Sequence, residues 1–527
     1  MKKILYVLMA VVALSFASCN KDFLETAPSD AVSGDTMMNT TEGGYMALNG
    51  TIRFFWQWGV TTTGNYHQCF GPQSYNLMAD LMGEDMVMAA QGSGWFWYDY
   101  NYNVKSRWNS TTWRSYDAWN YYYTLISNVN YILAAEETME GASDDVNYIM
   151  GNAYALRAYA EAYCAMIFAR SYIGHEDRLS VPLYTEPTVA GTQGQPRATN
   201  KDVFAQAMSD INKAVTLLAD LPQQHCSHID KYVANGIKAR IALYMGDYQT
   251  AYDAAKIAVA GGSFAFDPDF HFNNATDKSV LWGAEIITDQ GTTNPQFLAH
   301  MDWRWGGYGN TARKCCSTWL YDKIGENDLR ADWWAYETLA DGKTLGYQQY
   351  KFLFGNLGDP TTQADHIFMR APEMQLIIAE TACRLNKEDE AKAALNALMA
   401  TRDPGYDCSA LTGTALGALT TDLTGSLLEE ILIQRRIELW GEFGRVYDIK
   451  RLRQGFVRTK EMGHPTSSLL TSLHCDDPES FDWVLTIPAK EVDANKYVLQ
   501  NPVGSYPDGN AKEGDDPALQ EKPAAQS

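Results

Sequence analysis

Hydrophobic positions along most of this chain recur at steps of three and four, the spacing that lines one face of an α-helix. In TTWRSYDAWNYYYTLISNVNYILAAEE, Trp113, Tyr116, Trp119, Tyr123, Ile126 and Asn130 fall on such a face. The next segment, NYIMGNAYALRAYAEAYCAMIFARSYIG, alternates small and large residues, which allows close helix packing, and predicts a long helix ending near Gly174. SVPLYTEP reads as an extended, proline-bounded connection. TNKDVFAQAMSDINKAVTLLADLP reads as a helix capped by Thr199 or Asn200 and stopped by Pro222. DKYVANGIKARIALYMGDYQTAYDAAKIAVAGG predicts a hairpin of two helices that turns at Gly246-Asp247, with Ala251, Ala255 and Ala258 facing inward. APEMQLIIAETACRLNKEDEAKAALNALMATR repeats that design and turns at Asn386-Lys387. Alanine-lined hairpins are the tetratricopeptide style of pairing. A further amphipathic helix is predicted through SLLEEILIQRRIELWGEFGRVYDIKRLRQG. The expected fold is mainly α, a scaffold of tetratricopeptide-like helical hairpins.

The helical period fails in two places. Residues 261–369 contain DPDF, TDQGTTNPQ, MDWRWGGYGN and DGKTLGYQQYKFLF, rich in glycine, tryptophan and turn dipeptides. This stretch is expected to be loops and short strands inserted in the scaffold, a Trp-rich half suited to binding a ligand. The second place is QGSGWFWYDYNYN, which packs six aromatic rings between Trp95 and Tyr102. Of the fifteen tryptophans, seven lie between residues 56 and 119, six between 282 and 334, and none in the two hairpins. Binding residues concentrate where regular structure is weakest.

The N-terminus sets the compartment. MKKILYVLMAVVALSFASCN has a basic start, an apolar run from Ile4 to Leu14, and small residues Ala17 and Ser18 before Cys19. It is a secretory signal too short to remain as a membrane-spanning helix. The cysteine after the small pair is lipobox-like, although Phe16 stands where leucine is usual, and it makes Cys19 the expected lipidation site. The alternative is an ordinary signal peptide with an incidental cysteine. Residues 1–18 are therefore assigned to the signal, 19–34 to a lipidated tether, 35–501 to one domain, and 502–527 to a polar tail expected to be disordered.

Composition narrows the partners. With 42 basic and 64 acidic residues the net charge is −22, which argues against nucleic acid and anionic lipid surfaces. Eight cysteines beyond Cys19 are too sparse for a disulfide scaffold, and no C-x-x-C pair occurs. HCSH places His225 and His228 around Cys226, and DPDFHFNNATDK spaces Asp267, Asp269 and His271 like calcium ligands. The first lacks a second ligand cluster. The second lacks the turn glycine and carries Lys278 where a bidentate glutamate belongs, so no metal and no cofactor are expected. No phosphate loop, H-E-x-x-H or G-x-S-x-G occurs, and WGGYGNTA is only half a dinucleotide loop. No pair of acids stands out as a glycosidase couple, a geometry that sequence cannot display.

Aromatic rings remain. The C–H-rich face of a pyranose lies flat on Trp or Tyr, and neighbouring Asp, Asn and Arg can bond vicinal hydroxyls. The first run supplies Trp95, Trp97, Tyr98, Tyr100 and Asn101 as candidate glycan ligands. The second supplies Trp303, Arg304, Trp305 and Tyr308. A ring spacing of two also fits a half-buried strand, and both readings stay open. Helical spacing makes Trp113, Trp119 and Tyr121 to Tyr123 core residues.

Several motifs, taken in order, resemble the SusD/RagB-like family of outer-membrane glycan-binding lipoproteins of Bacteroidetes. These are CNKDFLE, ALRAYAEAYCAMIFARSYIG with VPLYTEP, and PRATNKDVFAQAMSDI with Ala198 replacing the usual proline. DKYVANGIKARIALYMGDYQTA, RAPEMQLIIAE, QRRIELWGEFGRVYDIKR with Gln434 for the first acid, and IPAKEVDANKYVLQNP complete the set. The resemblance implies one α-helical domain with helices paired on one side and an irregular, glycan-binding half. It implies that Arg435 to Arg451 is internal architecture and that the protein is not an enzyme. It also implies a SusC-like TonB-dependent barrel transporter as partner, a lipid anchor facing the cell exterior, and delivery of an oligo- or polysaccharide to that barrel. Family ligand residues are variable loop aromatics, so the candidate residues rest on composition and position. Rival readings are a helical-repeat protein-binding subunit that touches no sugar, and a secreted glycosidase.

Overall fold

The computed structural model describes residues 38–60, 65–102, 113–287, 290, 296–338, 344–355 and 364–501. Its long helices in chain order are α1 (Thr41–Trp56), α2 (Pro72–Met82), α3 (Trp113–Leu133), α4 (Ser143–Phe168), α5 (Asn200–Leu217) and α6 (Lys231–Met245). They continue as α7 (Tyr248–Ala258), α8 (Ala371–Arg384), α9 (Glu388–Met399), α10 (Leu427–Glu438) and α11 (Arg445–Leu452). The signal segment, Cys19, the tether and the tail lie outside the described residues.

Local chemistry explains both hairpins. Asp230 accepts the amides of Tyr232 (2.9 Å) and Val233 (2.8 Å) and starts α6. Gly246 ends α6 in the left-handed region (φ 78°), and Asp247 then accepts the Thr250 amide (3.1 Å) to start α7. Ala251, Ala255 and Ala258 are fully buried, so α7 approaches its neighbours closely, as predicted. The second hairpin, α8 and α9, turns through Asn386 at φ 60°. Thr199 and Asp202 form a reciprocal capping box at the start of α5. One continuous hydrophobic cluster draws on every long helix and on Phe272, Trp282, Phe297 and Phe352 of the irregular half.

Three helix limits differ from the sequence reading. α4 stops at Phe168, short of Gly174: Ala169 is extended (φ −126°, ψ 167°), and the buried Lys450 ammonium donates to the carbonyls of Met166 (2.7 Å) and Ala169 (3.0 Å) at that end. α5 stops at Leu217, before Pro222. The helix predicted through QRRIELWGEFGRVYDIKR is two helices, broken where Gly441 (φ 81°) and Gly444 (φ 101°) take conformations that L-residues avoid.

The strands are short. β1 (Met86–Val87), β5 (Cys315–Cys316), β7 (Thr344–Gln349) and β6 (Trp334–Thr338) form an antiparallel sheet in that order. β2 (Leu179–Pro182) pairs with β3 (Arg197–Thr199), and β4 (Val280–Ala284) with β8 (His366–Arg370). The β1–β5 pair decides the site. Val87 lies opposite Cys315. In an antiparallel pair, the segment leaving β1 and the segment entering β5 emerge from the same edge. Residues 88–102 and 302–314, far apart in sequence, are thereby laid side by side. Cys315 and Cys316, adjacent without evident reason in the sequence, are the buried residues of that strand.

Candidate functional site

Gly92 fixes how closely the two segments approach. A Cβ on it would lie 1.4 Å from the Thr311 carbonyl oxygen, and its φ is 52°. Beside it, the Thr311 hydroxyl donates to Ser93 Oγ at 2.8 Å. The aromatic run that follows is not a strand. Phe96 turns in the left-handed region (φ 62°), and Trp97–Tyr100 form a single helical turn. Alternation therefore does not decide which rings face out.

At the junction the indole of Trp95 stacks on the ring of Tyr308, with centroids 5.2 Å apart and planes 6° apart. His67 lies 5.2 Å from Trp95 and 5.8 Å from Tyr308, and its Nδ1 is hydrogen-bonded to the Tyr308 hydroxyl. Tyr66 stacks on His67 at 4.3 Å, and Trp58 lies 5.4 Å from Tyr66. The five rings form an arc. Its outer end is open, with Tyr66 41% and Trp58 36% exposed, while Tyr308 at 9% backs the inner end.

A polar layer beneath the arc holds it in place. His300 is fully buried and donates from Nε2 to the His67 carbonyl at 2.7 Å, with its ring edge-on to Trp95, Phe96 and Tyr308. Burial drives the His300 imidazole well below its usual range, so the ring is neutral. The buried Lys314 ammonium donates to the His300 carbonyl (2.9 Å), and burial lowers its pKa to about 7. Gln68 accepts the Phe96 amide at 2.6 Å. Arg114, buried, grips Asp99 at 2.9 and 3.2 Å and so anchors the Trp97–Tyr100 turn from below.

The nine candidate residues separate accordingly. Trp95 and Tyr308 come together in the arc. Tyr100 does not reach the surface: it is fully buried, its ring stacked on His464 and its hydroxyl 2.6 Å from His464 Nδ1. Tyr100 is thereby corrected from a candidate ligand to a core residue, because the helical turn points it inward. Trp97 and Tyr98 are half-buried, and Asn101 spends its amide on the Trp97 carbonyl (2.9 Å). Arg304 is a loop strut, bidentate to buried Asp302 (2.7 and 2.9 Å) and bonded to the Phe354 carbonyl (2.6 Å). Trp303 packs edge-on to Tyr350 (5.5 Å) beneath Arg313, and Trp305 lies 4.8 Å from Phe354. Trp58, Tyr66 and His67 were not named from the sequence. Their only signal is WQWGVTTTGNYHQ, another ring-bearing stretch around glycines in the first tryptophan cluster.

The metal-like motifs do not assemble as their spacing suggested. His228 is buried against Tyr148 (3.2 Å), and burial lowers its pKa to about 4. His225, Cys226 and Glu285 do bring ligand atoms within 4.8 Å of one another, among the described residues. Asp267 instead closes a turn by accepting the Asp269 amide (2.9 Å).

Residues 72–243 match a family model described as "Starch-binding associating with outer membrane", and residues 244–504 match the model of the SusD family. The SusD-like protein P2 of Formosa agariphila is 23% identical over 73% of this chain and 80% of its own. Among solved structures, a SusD-like carbohydrate binding protein from Bacteroides vulgatus superposes with TM-score 0.72 at 23% identity, covering 87% of this chain and 97% of that one. A SusD superfamily protein from Bacteroides thetaiotaomicron gives TM-score 0.70 at 21% identity, covering 88% and 100%. Surface glycan-binding protein A from Bacteroides uniformis gives 0.62 at 18%, covering 87% and 99%.

Proposed function

Since the chain belongs to the SusD/RagB family, we propose that it is a lipid-anchored surface protein that captures oligo- or polysaccharide without cutting it and hands it to a TonB-dependent barrel in the outer membrane. The observation that carries this reading is the open arc of Trp58, Tyr66, His67, Trp95 and Tyr308. Stiff rings offer a large apolar face at low entropic cost, which suits the C–H face of a sugar. The surrounding network fixes the rings before ligand arrives, so little binding energy goes into ordering them. Two relatives of the same fold are named for carbohydrate or glycan binding, which supports the ligand class.

Acylated Cys19 would hold the protein at the membrane. A single chain gives a partition constant of only ~10⁴ M⁻¹, so stable anchoring needs several. No helix among the described residues is long and apolar enough to cross a membrane. Affinity should lie between micromolar and millimolar, about −8 to −4 kcal/mol, because a tightly held ligand could not be passed on.

The test is calorimetric titration or affinity electrophoresis against a panel of plant, microbial and host glycans. Tyr66→Ala and Trp95→Ala should each weaken the ligand that the wild type binds by roughly fivefold or more, about 1 kcal/mol for a lost ring contact. Unchanged affinity in both would remove the arc as the site. Release of reducing ends from the bound glycan would overturn the non-catalytic role, and stable pairing with a barrel but no glycan hit would favour a purely protein-binding subunit.

A further inference from the structure

A cavity of about 570 Å³ is lined by none of the residues of the arc. It is a groove between one face of α3, the loop from Tyr184 to Gly194, and the chain at Pro488–Glu491. Its volume falls within the range of about 300–1,000 Å³ usual for small-molecule sites. We propose that this groove is a second glycan-binding site, for a neutral oligosaccharide segment. The ligand class rests on the function proposed above; the groove itself does not.

The walls carry the argument. Trp119, nearly buried, forms the floor, with Tyr123 4.7 Å from it and Tyr184 edge-on to Tyr123 at 5.8 Å. Along the same helix Asn120, Thr124, Ser127 and Asn128 recur at helical spacing and also line the groove. Aromatic faces next to a row of amides and hydroxyls are what a polyhydroxylated ring needs: an apolar face to cover and neutral donors and acceptors for its rim. Among the described residues the only ionisable side chains in the lining besides tyrosines are Lys490 and Glu491, of opposite sign. In a chain of net charge −22, a locally balanced groove disfavours a polyanion and has no excess charge to attract an ionic peptide.

The groove is also built in advance. The Val189 amide donates to Thr192 Oγ1 (2.8 Å) and the Gln195 amide to the Tyr184 hydroxyl (2.9 Å). Asn130 binds the Tyr184 carbonyl (2.7 Å) from α3, and Asn495 binds the Gln195 carbonyl (2.9 Å) from the C-terminal end. Gly194 has no room for a side chain, since a Cβ would come 2.4 Å from Asn495. A loop fixed at both ends loses little entropy when a ligand settles.

The experiment uses the full-length mature protein and soluble gluco-, xylo-, manno- and laminari-oligosaccharides, with stoichiometry and affinity read by calorimetry and ligand-observed NMR. Four proteins are compared: wild type, an arc variant (Tyr66→Ala with Trp95→Ala), and that arc variant carrying in addition either a groove-filling substitution (Thr124→Trp) or a mild groove pair (Asn128→Ala with Gln193→Ala). The expected result is residual binding of one oligosaccharide in the arc variant. Both groove variants should lose that binding, introduced into the arc variant, by about tenfold or more. The mild pair lies on half-buried and exposed positions and keeps the test valid if the tryptophan variant folds poorly. An arc variant with no residual binding overturns the groove and leaves the arc reading standing. Binding that survives in the arc variant and disappears in the groove variants, with no loss from the arc substitutions themselves, supports the groove and overturns the arc. Residual binding indifferent to both groove variants overturns the groove.

Discussion

The two stretches most conspicuous for their composition both depart from their ordinary places, the charged one almost wholly and the ring-rich one in part. The charge-rich QRRIELWGEFGRVYDIKR, which in most helices would be a solvated face, is almost wholly buried. Glu438 is inaccessible and receives Arg330 (3.4 Å), Arg370 (3.1 Å) and Arg402 (2.9 Å). Asp448 bridges Arg435 (2.8 Å) and Arg451 (2.6 Å), and Arg436 and Arg445 close on Glu84 and Asp85. The ring-rich stretch, which would ordinarily be core, sends Trp95 to a surface arc. What distinguishes them is partners. The buried acids of that stretch and most of its buried arginines meet an opposite charge, within the stretch or from elsewhere in the chain, whereas Tyr66 and Trp58 retain open faces.

The comparison is broken most severely by removing one shared partner. Glu438→Ala leaves Arg330, Arg370 and Arg402 facing one another without their common carboxylate. Loss of one member of a buried ion pair costs about 3–5 kcal/mol. Chemical denaturation should show a loss of at least that size, with glycan affinity of the remaining folded protein unchanged. A marginal effect would mean the seam is dispensable.

Acid should dissolve the same seam by degrees. Burial opposes ionisation of Glu438, but Arg402, Arg370 and Arg330 outweigh it, and its carboxyl sits well below the usual range. Asp448 is held low in the same way by Arg435 and Arg451. Glu479 is lowered to about 2, first by its hydrogen bond to His175. A carboxyl depressed in the folded state contributes stability above its unfolded pKa, about 4, and loses it as pH falls through the folded value. Asp80 and Glu161, raised by burial, have the opposite sign and lose stability as pH rises past the unfolded value. Since arginines hold Glu84, Glu380, Glu438 and Asp448 low in this seam against Asp80 raised by burial, the urea midpoint should fall steeply between about pH 4 and 2. A midpoint flat from pH 5 to 3 would contradict the ion-pair account.

Gly92→Ala tests the other half of the comparison. A methyl group there meets the Thr311 carbonyl and must push the 88–102 segment away from 302–314. The cost in stability should be about 1–3 kcal/mol, as for overpacked sites. The more telling outcome is glycan affinity, which should fall as far as in Trp95→Ala, because the Trp95–Tyr308 stack depends on that approach. Intact affinity would separate the glycine from the arc.

These differences explain what the sequence could disclose. The hairpins at Gly246-Asp247 and Asn386-Lys387 were legible because cap, turn and alanine stripe all lie within a few residues of one another. The break between α10 and α11 was not, since the helical period runs on through WGEFG and only the positive φ of Gly441 and Gly444 interrupts it. The arc was half legible. Its rings could be chosen by type, but their meeting depends on the β1–β5 register, a pairing across more than two hundred residues. Composition and position misplaced Tyr100, because Phe96 converts the run into a helical turn that points it inward.

Tyr100→Phe gives the smallest and most selective test. Tyr100 and Trp95 belong to one ring-rich run, yet Tyr100 has its ring stacked on His464 and its hydroxyl within 2.6 Å of His464 Nδ1. His464 also bonds the Glu84 carbonyl (3.0 Å) through Nε2, which links this ring to the loop beside the ionic seam. Removing the hydroxyl leaves the ring and its packing in place and forfeits its buried hydrogen bonding to His464 and the Met88 backbone, about 1 kcal/mol per bond. Thermal denaturation should register that loss while titration with the cognate glycan shows no change. Weakened glycan binding with unaltered stability would return Tyr100 to the ligand face and show that the inward turn at Phe96 had been assigned the wrong role.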